Sequence, residues 1–199
     1  MIRIWCVLFL LLSISNMIKA QKISEEGMEF IKEQEGCSLT IYWDGNKKAI
    51  GYGHNIKGEE LLAVLRIGDA LSKEWVEEIF KEDVKKLINP NLKKIFKEEK
   101  EFPQNVYDVF GSLIYNIGYE GLINTKFYKL FKKERYMQAF LELPWTKIKY
   151  NGNIKRRYSE VFLLSENFDF EKNRYVLDTS TIGESIGTSL SDRTKLIQK

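Results

Sequence analysis

The run EGCSLTIYWDGNKKAIGYGH, from Glu35 to His54, gathers a glutamate, an aspartate, two closely spaced glycines and the only histidine of the chain. From Leu39 to Trp43 apolar and polar residues roughly alternate, Asp44-Gly45-Asn46 has the composition of a tight turn, and Ala49 to Gly53 returns with small and aromatic side chains. That is the pattern of a β-hairpin. The segment before it, Ile23 to Glu35, reads as a helix: Ser24 can cap it, Glu25 and Glu26 suit its first turn, and Gly36 can take the left-handed position beyond its end. Glu35 then falls in the last helical turn, where the negative end of the helix dipole disfavours a charged carboxylate. Asp44 opens a turn that water reaches, which favours one. Cleavage of a glycosidic bond needs such a pair, one carboxyl group protonated and one ionised. A glutamate near a helix end and an Asp-Gly turn are also ordinary structural features, so at this point both readings stand.

Beyond His54 the periodicity turns helical. Ser72 can cap a helix whose apolar residues Trp75, Val76, Ile79, Phe80, Val84, Leu87 and Ile88 recur at helical spacing, until Asn89-Pro90 is expected to break it. A second helix follows Pro103, with Val106, Val109, Phe110, Leu113, Ile114 and Ile117 ahead of Gly118; it is apolar enough to be the centre of a lobe. Shorter segments from Thr125 to Lys133, Arg135 to Leu143 and Asn153 to Leu164 complete a mainly helical second lobe. The order of helix, hairpin and many helices defines an α+β fold, a small lobe with a short antiparallel sheet joined by a helix to a helical lobe.

The opening stretch, MIRIWCVLFLLLSISNMIKAQ, has a basic Arg3, an apolar run from Ile4 to Leu12 and a small Ala20, the three-part pattern of a secretory signal peptide cleaved after Ala20. The run is short for a permanent span, which takes about 20 apolar residues. The formal net charge of +3 drops to +1 without Arg3 and Lys19, too small a balance to attract nucleic acid. Of the two cysteines, Cys6 lies in the presequence, so a disulfide framework is not expected to hold the mature fold. Cys37 reads as a small buried thiol, or as a partner for Cys6 if the presequence is retained. One histidine and one mature cysteine make a zinc site improbable, and no cofactor is expected. Gly51-Tyr52-Gly53 lacks the context of a phosphate loop, and His54 lacks a nucleophile-elbow partner. After Asn167 the chain is polar and weakly periodic, and residues 167–199 read as a loosely ordered tail.

The quoted run resembles the active-site segment of the phage-type lysozymes, glycoside hydrolase family 24: a glutamate, eight residues, an aspartate, then a glycine-x-glycine-histidine strand. SKEWVEEIFKEDV is similar to the family's connecting helix, and FPQNVYDVFGSLIYNIG to its central helix. ERYMQAFLELPW with GNIKRRYSEVFLL is similar to its closing aromatic and double-arginine segments. The resemblance covers roughly Ser24 to Leu164 and implies a lysozyme-like domain over residues 21–166. It further implies a muramidase that cuts the β-1,4 bond between N-acetylmuramic acid and N-acetylglucosamine with inversion. Glu35 would be the general acid and Asp44 the second carboxylate. Asn55, Tyr115, Asn116 and Thr125 would meet the sugar chain, although packing for Tyr115 and helix capping for Thr125 are equally good readings. The implied partner is bacterial peptidoglycan, met by a monomer secreted from the cell or exported to the periplasm, with membrane contact only through an uncleaved presequence.

One departure stands out. The family usually carries a threonine, whose hydroxyl helps to hold the attacking water, where this chain has Ala49. Thr40, Tyr42, Tyr52 and Asn46 are candidate replacements. Activity is therefore expected to be reduced or differently tuned, and the alternative is a catalytically impaired relative that binds peptidoglycan without cutting it. A lytic transglycosylase would need no partner aspartate, so Asp44 argues against that class. His54 is expected to be structural and to pair with Asp83. Lys147, Lys149, Lys155, Arg156 and Arg157 form a basic stretch that either favours the acidic bacterial wall or is a solvated face with one arginine buried in an ion pair; the second reading is taken for Arg156 and Arg157, and both stay open for the lysines.

Overall fold

The computed structural model describes residues 22–58, 61–97, 101–148 and 151–176. The presequence with its cleavage site and Cys6, together with Lys149 and residues 177–199, lie outside them.

Helix α1 (Glu25–Glu35) starts as its sequence predicts: the Ser24 hydroxyl accepts from the Gly27 amide, and Gly36 ends it at φ 67°. Ser24 is itself held from outside the helix. Its amide and its hydroxyl both donate to the carboxylate of Asp108, each at 2.8 Å, and the Ile23 amide donates to Asn89 Oδ1 at 3.2 Å. The first helix is thereby pinned to the middle of the chain.

Three antiparallel strands follow: β1 (Ser38–Asp44), β2 (Lys47–Gly51) and β3 (His54–Asn55), in the order β1-β2-β3. Tyr42 and Asn55 both face Ala49 across the ladder, one from each side, and Asp44 faces Lys47 at the hairpin end. Cross-strand partners share a sheet face, as do residues two apart along a strand. Tyr42, Asp44, Ala49 and Asn55 therefore lie on one face. Gly51 closes β2 at φ 65°, and a Cβ there would sit 2.8 Å from Val76 Cγ1, so the sheet approaches the next helix closely at a position that only glycine fills without strain. The Cys37 thiol, expected to be buried, is exposed at the junction of α1 and β1.

Helix α2 (Lys73–Asp83), capped by the Ser72 hydroxyl, does not stop at Asn89-Pro90. It runs through a wide π-type turn (Val84–Ile88) into α3 (Asn89–Ile95). Proline lacks an amide hydrogen, and its ring clashes with the carbonyl four residues back in a regular helix. Here the Asn89 amide reaches back five residues to the Val84 carbonyl, and Asn91 Nδ2 donates to the Leu87 carbonyl at 2.7 Å. The widened turn makes room for the ring, and a side chain satisfies a carbonyl beside it. Val76, Phe80, Val84 and Ile88 are buried, whereas Trp75 and Leu87 point outward.

Helix α4 (Gln104–Ile117) is the central helix, with Val106, Val109, Phe110, Ser112 and Leu113 sealed from solvent, and Gly118 ends it at φ 72°. Around it pack α5 (Tyr119–Ile123), α6 (Lys126–Lys132), α7 (Tyr136–Glu142), a single 3₁₀ turn (Leu143–Trp145) and α8 (Asn151–Ser165). Edge-to-face aromatics fill the space between them: Phe110 on Phe131, Phe131 on Tyr136 and Phe96 on Phe110 have centroids 4.8, 5.2 and 5.0 Å apart. Among the described residues no helix is long and apolar enough to cross a membrane.

The loosely ordered tail was expected to begin at residue 167. Residues 167–176 instead form a small hairpin of β4 (Phe168–Asp169) and β5 (Arg174–Tyr175). Phe168 and Tyr175 are buried against Tyr136 and Phe140, and the Tyr175 hydroxyl donates to the Leu164 carbonyl at 3.2 Å. Two-residue strands leave no periodicity to read, and one inward aromatic on each is enough to dock them.

Glu77 on α2 joins the small lobe to α1. It accepts from Lys32 Nζ at 2.5 Å and from the Tyr52 hydroxyl at 2.6 Å. Burial raises its pKa, but the hydrogen bonds from Lys32 and Tyr52 outweigh that and hold it below the ordinary value of 4.5. A depressed carboxylate pKa stabilises the fold above the unfolded-state value and loses that contribution as pH falls through the folded value. Glu77→Gln is expected to cost about 1–3 kcal/mol of stability at pH 7 through lost charge-assisted bonding, seen as a lower melting temperature. Melts taken from pH 7 down to pH 3 check the sign: the gap between wild type and variant should narrow as the medium becomes acidic.

Candidate active site

Glu35 projects from the last turn of α1 toward the helical lobe, with its side chain 22% exposed. Its Oε1 accepts from Nη1 of Arg156, a nearly buried residue of α8. Arg156 cannot swing freely. Its Nε donates to Glu160 Oε1 at 3.2 Å, and its Nη2 to both the carbonyl and the hydroxyl of Ser112 at 3.1 Å. Arg157, fully buried, donates through Nη1 to Glu160 Oε2 at 2.5 Å, through Nε to the Thr146 carbonyl at 2.9 Å and through Nη2 to Asn116 Oδ1 at 2.6 Å. The Ser112 hydroxyl completes the set by donating to Glu160 Oε1 at 2.7 Å. One sealed carboxylate thus orients two guanidinium groups, and one of those grips Glu35.

The other oxygen of Glu35 faces the sheet. A Cβ on Gly53 would lie 3.8 Å from Glu35 Oε2, an ordinary contact, which puts this oxygen beside the start of β3. Tyr42 lies within electrostatic reach of both acids: burial pushes its hydroxyl pKa up, and the charges of Asp44, Glu35 and Cys37 push the same way. Asp44 itself is exposed at the hairpin turn. Tyr115, from the end of α4, donates its hydroxyl to the Tyr52 carbonyl at 2.8 Å and packs edge-to-face on Phe80 with centroids 5.6 Å apart. Burial, then the charges of Asp83 and Glu35, drive its pKa far upward, so it remains a neutral donor. Glu35, Tyr42, Asp44, Tyr115 and Arg156 therefore form one constellation between α1, the sheet, α4 and α8.

The remaining expected residues divide. His54 Nδ1 lies 2.9 Å from Asp83 Oδ2 and 3.0 Å from Oδ1, the pairing expected, and it ties β3 to the end of α2. Asn116 is within the Arg157 network. Asn55 pairs with Ala49 across the ladder, on the same sheet face. Thr125 is not brought to the site: it is buried, its hydroxyl donates to the Leu122 carbonyl at 2.7 Å and accepts from the Tyr128 amide at 3.0 Å, and both bonds serve as the cap of α6. Among the candidates for the missing hydroxyl, Tyr52 is committed to Glu77, and Asn46 lies in the exposed turn. Lys155 of the basic stretch is exposed, as read, but both arginines rather than one are buried.

Sequence reading missed Glu160 and Ser112. A signal for Glu160 existed: it stands three and four residues after two arginines, the spacing of helical ion pairs, and next to the apolar run VFLL. Ser112 gives none, because its role depends on a residue 48 positions away.

The geometry is matched by kinship. Residues 32–160 match the phage lysozyme family. An endolysin of Acyrthosiphon pisum secondary endosymbiont phage 1 is 32% identical over 150 residues, which cover 69% of this chain and 94% of that protein. The endolysin from Escherichia coli O157:H7 phage FAHEc1 superposes with a TM-score of 0.61 at 25% identity, over 73% of this chain and 94% of the other. The muramidase domain of SpmX from Asticaccaulis excentricus gives 0.57 at 26%, over 71% and 96%. The chain belongs to the phage lysozyme family, and with it to the glycosidases that break down bacterial cell wall.

The charge network carries a stability prediction. Glu160→Ala would leave two buried guanidinium groups without their shared anion, and breaking a buried pair from one side costs about 3–5 kcal/mol. For a domain of this size that is a fall of roughly 6–20 °C in melting temperature. Differential scanning calorimetry of the purified variant measures it directly.

Proposed function

We propose that the protein is an exported muramidase that hydrolyses the β-1,4 bond between N-acetylmuramic acid and N-acetylglucosamine in peptidoglycan. The observation that carries this reading is the fixed Arg156–Glu35 contact, which leaves the second carboxyl oxygen of Glu35 beside Gly53, with Tyr42 in electrostatic reach of both Glu35 and Asp44. In this mechanism Glu35 acts through Oε2, passing its proton to the glycosidic oxygen as the bond to the anomeric carbon breaks. Positive charge develops on the sugar ring and is stabilised by Asp44. Water enters from the opposite face and gives its proton to Asp44, so the configuration is inverted. Asn55, Tyr115 and Asn116 are the proposed sugar-chain contacts, and the capping bonds of Thr125 argue against a fourth. Residues 1–20 serve as the export signal, cleaved after Ala20, and the lysozyme domain extends to about Val176. The mature protein works as a monomer outside the cytoplasm.

Ala49 favours a second reading. It is fully buried between Tyr42 and Asn55, so no side-chain hydroxyl stands at that place on the face. Loss of one positioning contact costs about a hundredfold in turnover, enough to leave a wall-binding relative with little activity.

Clearing of a purified peptidoglycan suspension separates the two. Wild type should clear it, and Glu35→Gln should be slower by about 100-fold to 10,000-fold, the usual contribution of a general acid. A wild type that pellets with the wall without clearing it, alongside an Ala49→Thr variant that clears it, would establish the binding reading instead. Anhydromuramic products in place of reducing ends would assign the reaction to the transglycosylases.

A further inference from the structure

Immediately ahead of α1, three successive backbone groups are each taken by a side chain from the middle of the chain. The Lys22 carbonyl accepts from Gln104 Nε2 at 2.8 Å, the Ile23 amide donates to Asn89 Oδ1 at 3.2 Å, and the Ser24 amide donates to Asp108 Oδ1 at 2.8 Å. Gln104 Nε2 also donates to Asp108 Oδ1 at 3.0 Å, so two of the three holders brace one another. The Ile23 side chain is buried, and its Cδ1 would lie 2.8 Å from a Cβ on Gly111, so it seats tightly against α4. A helix start needs one cap, and the Ser24 hydroxyl supplies it by accepting from the Gly27 amide. The bonds to Lys22 and Ile23 lie outside that cap. They fix the chain directly beside Ala20–Gln21, the bond expected to be cut.

We propose that this clamp shields the Ala20–Gln21 bond, so that the presequence is removed before Lys22 and Ile23 dock and stays attached to a chain in which they dock first. The proposal rests on the export reading above. Consecutive Cα atoms are about 3.8 Å apart, so covalent geometry alone keeps Gln21 and Ala20 within about 8 Å of the fixed Lys22. A peptidase draws the residues on both sides of its bond into its own cleft as an extended strand. A chain bonded to Gln104 and Asn89 at the second and third residues past the cut is not free to enter. Cleavage then waits on local opening, in which Lys22 and Ile23 leave their partners, and its rate follows the open population. The step itself is hydrolysis: water adds across the peptide bond, leaving a carboxylate on Ala20 and an amine on Gln21.

The test incubates the folded full-length chain in nonionic detergent with a signal peptidase and follows the new N-terminus by mass spectrometry. Two variants stand beside wild type. One inserts six Gly and Ser residues between Gln21 and Lys22, which carries the bond up to about 20 Å from the clamp and leaves the residues at the cut unchanged. The other, Gln104→Ala, frees the Lys22 carbonyl. The insertion lies outside the clamp, so its melting temperature should match wild type, while its bond is cut at least about 30-fold faster, the ratio that two or three hydrogen bonds impose on the open state. Gln104→Ala should be cut about fivefold faster than wild type, the share of one bond. A wild type cut within about threefold of the insertion variant would overturn the proposal, because the clamp then shields nothing. Gln104→Ala cut at the wild-type rate would overturn it too, by assigning the shielding to the bulk of the domain. An insertion variant that stays uncut would overturn the export reading and this proposal with it, so the two failures are told apart by the insertion variant alone.

Discussion

Glu160 has both oxygens sealed among helices, and the shape of the site depends on that single carboxylate. It receives two guanidinium groups and a serine hydroxyl, and through them it joins α4, α8 and the 3₁₀ turn. A buried ion cluster is seldom a large net gain in stability, because desolvation offsets most of the attraction. Its effect here is directional. A guanidinium bound on Nε and Nη2 has one orientation left, and that orientation presents Nη1 to the end of α1. The position of the candidate acid is thus decided by Glu160 and Ser112, acting through one guanidinium group.

The small lobe is held differently. It has few interior side chains, and its strands are short. Its attachment comes from polar ties at its margins: Glu77 to Tyr52 and Lys32, His54 to Asp83, Tyr115 to the Tyr52 carbonyl. Gly51 lets the sheet press on Val76 between those ties. Ile41 and Ile50 supply the packing of one sheet face, and on the other Ala49 is sealed between Tyr42 and Asn55.

Features governed by neighbours in sequence were legible before the structure. Ser24, Gly36, Ser72 and Gly118 act within a turn of their own position, and each bounds a helix where its chemistry says it should. The hairpin was legible for the same reason, and its resemblance to a known active-site segment made the His54–Asp83 pair readable and singled out Glu35 and Asp44 as candidates. What escaped is governed from a distance. Ser112 has meaning only beside Glu160. Phe168 and Tyr175 dock because an aromatic cluster built from α6 and α7 awaits them, and a segment rich in Asn, Glu and Lys hides two such residues well. The direction of the Cys37 side chain is set by how the hairpin leaves α1, which local composition does not encode.

The wide turn at Val84–Ile88 has a consequence for how the middle of the chain is phased. Val76, Phe80 and Asp83, ahead of it, address the sheet and His54; Asn89 and Leu92, behind it, address Ile23 and the core near α4. A uniform helix advances about 100° per residue and would turn one of these sets away from its target. The extra residue in the turn resets the angle, so one rod serves two surfaces that are not in line. Pro90 then acts as a latch on that phase, because a regular turn at this place would drive its ring into the carbonyl of Lys86. The length of this short segment, more than its composition, keeps the small lobe and the N-terminal helix in register with the rest of the molecule.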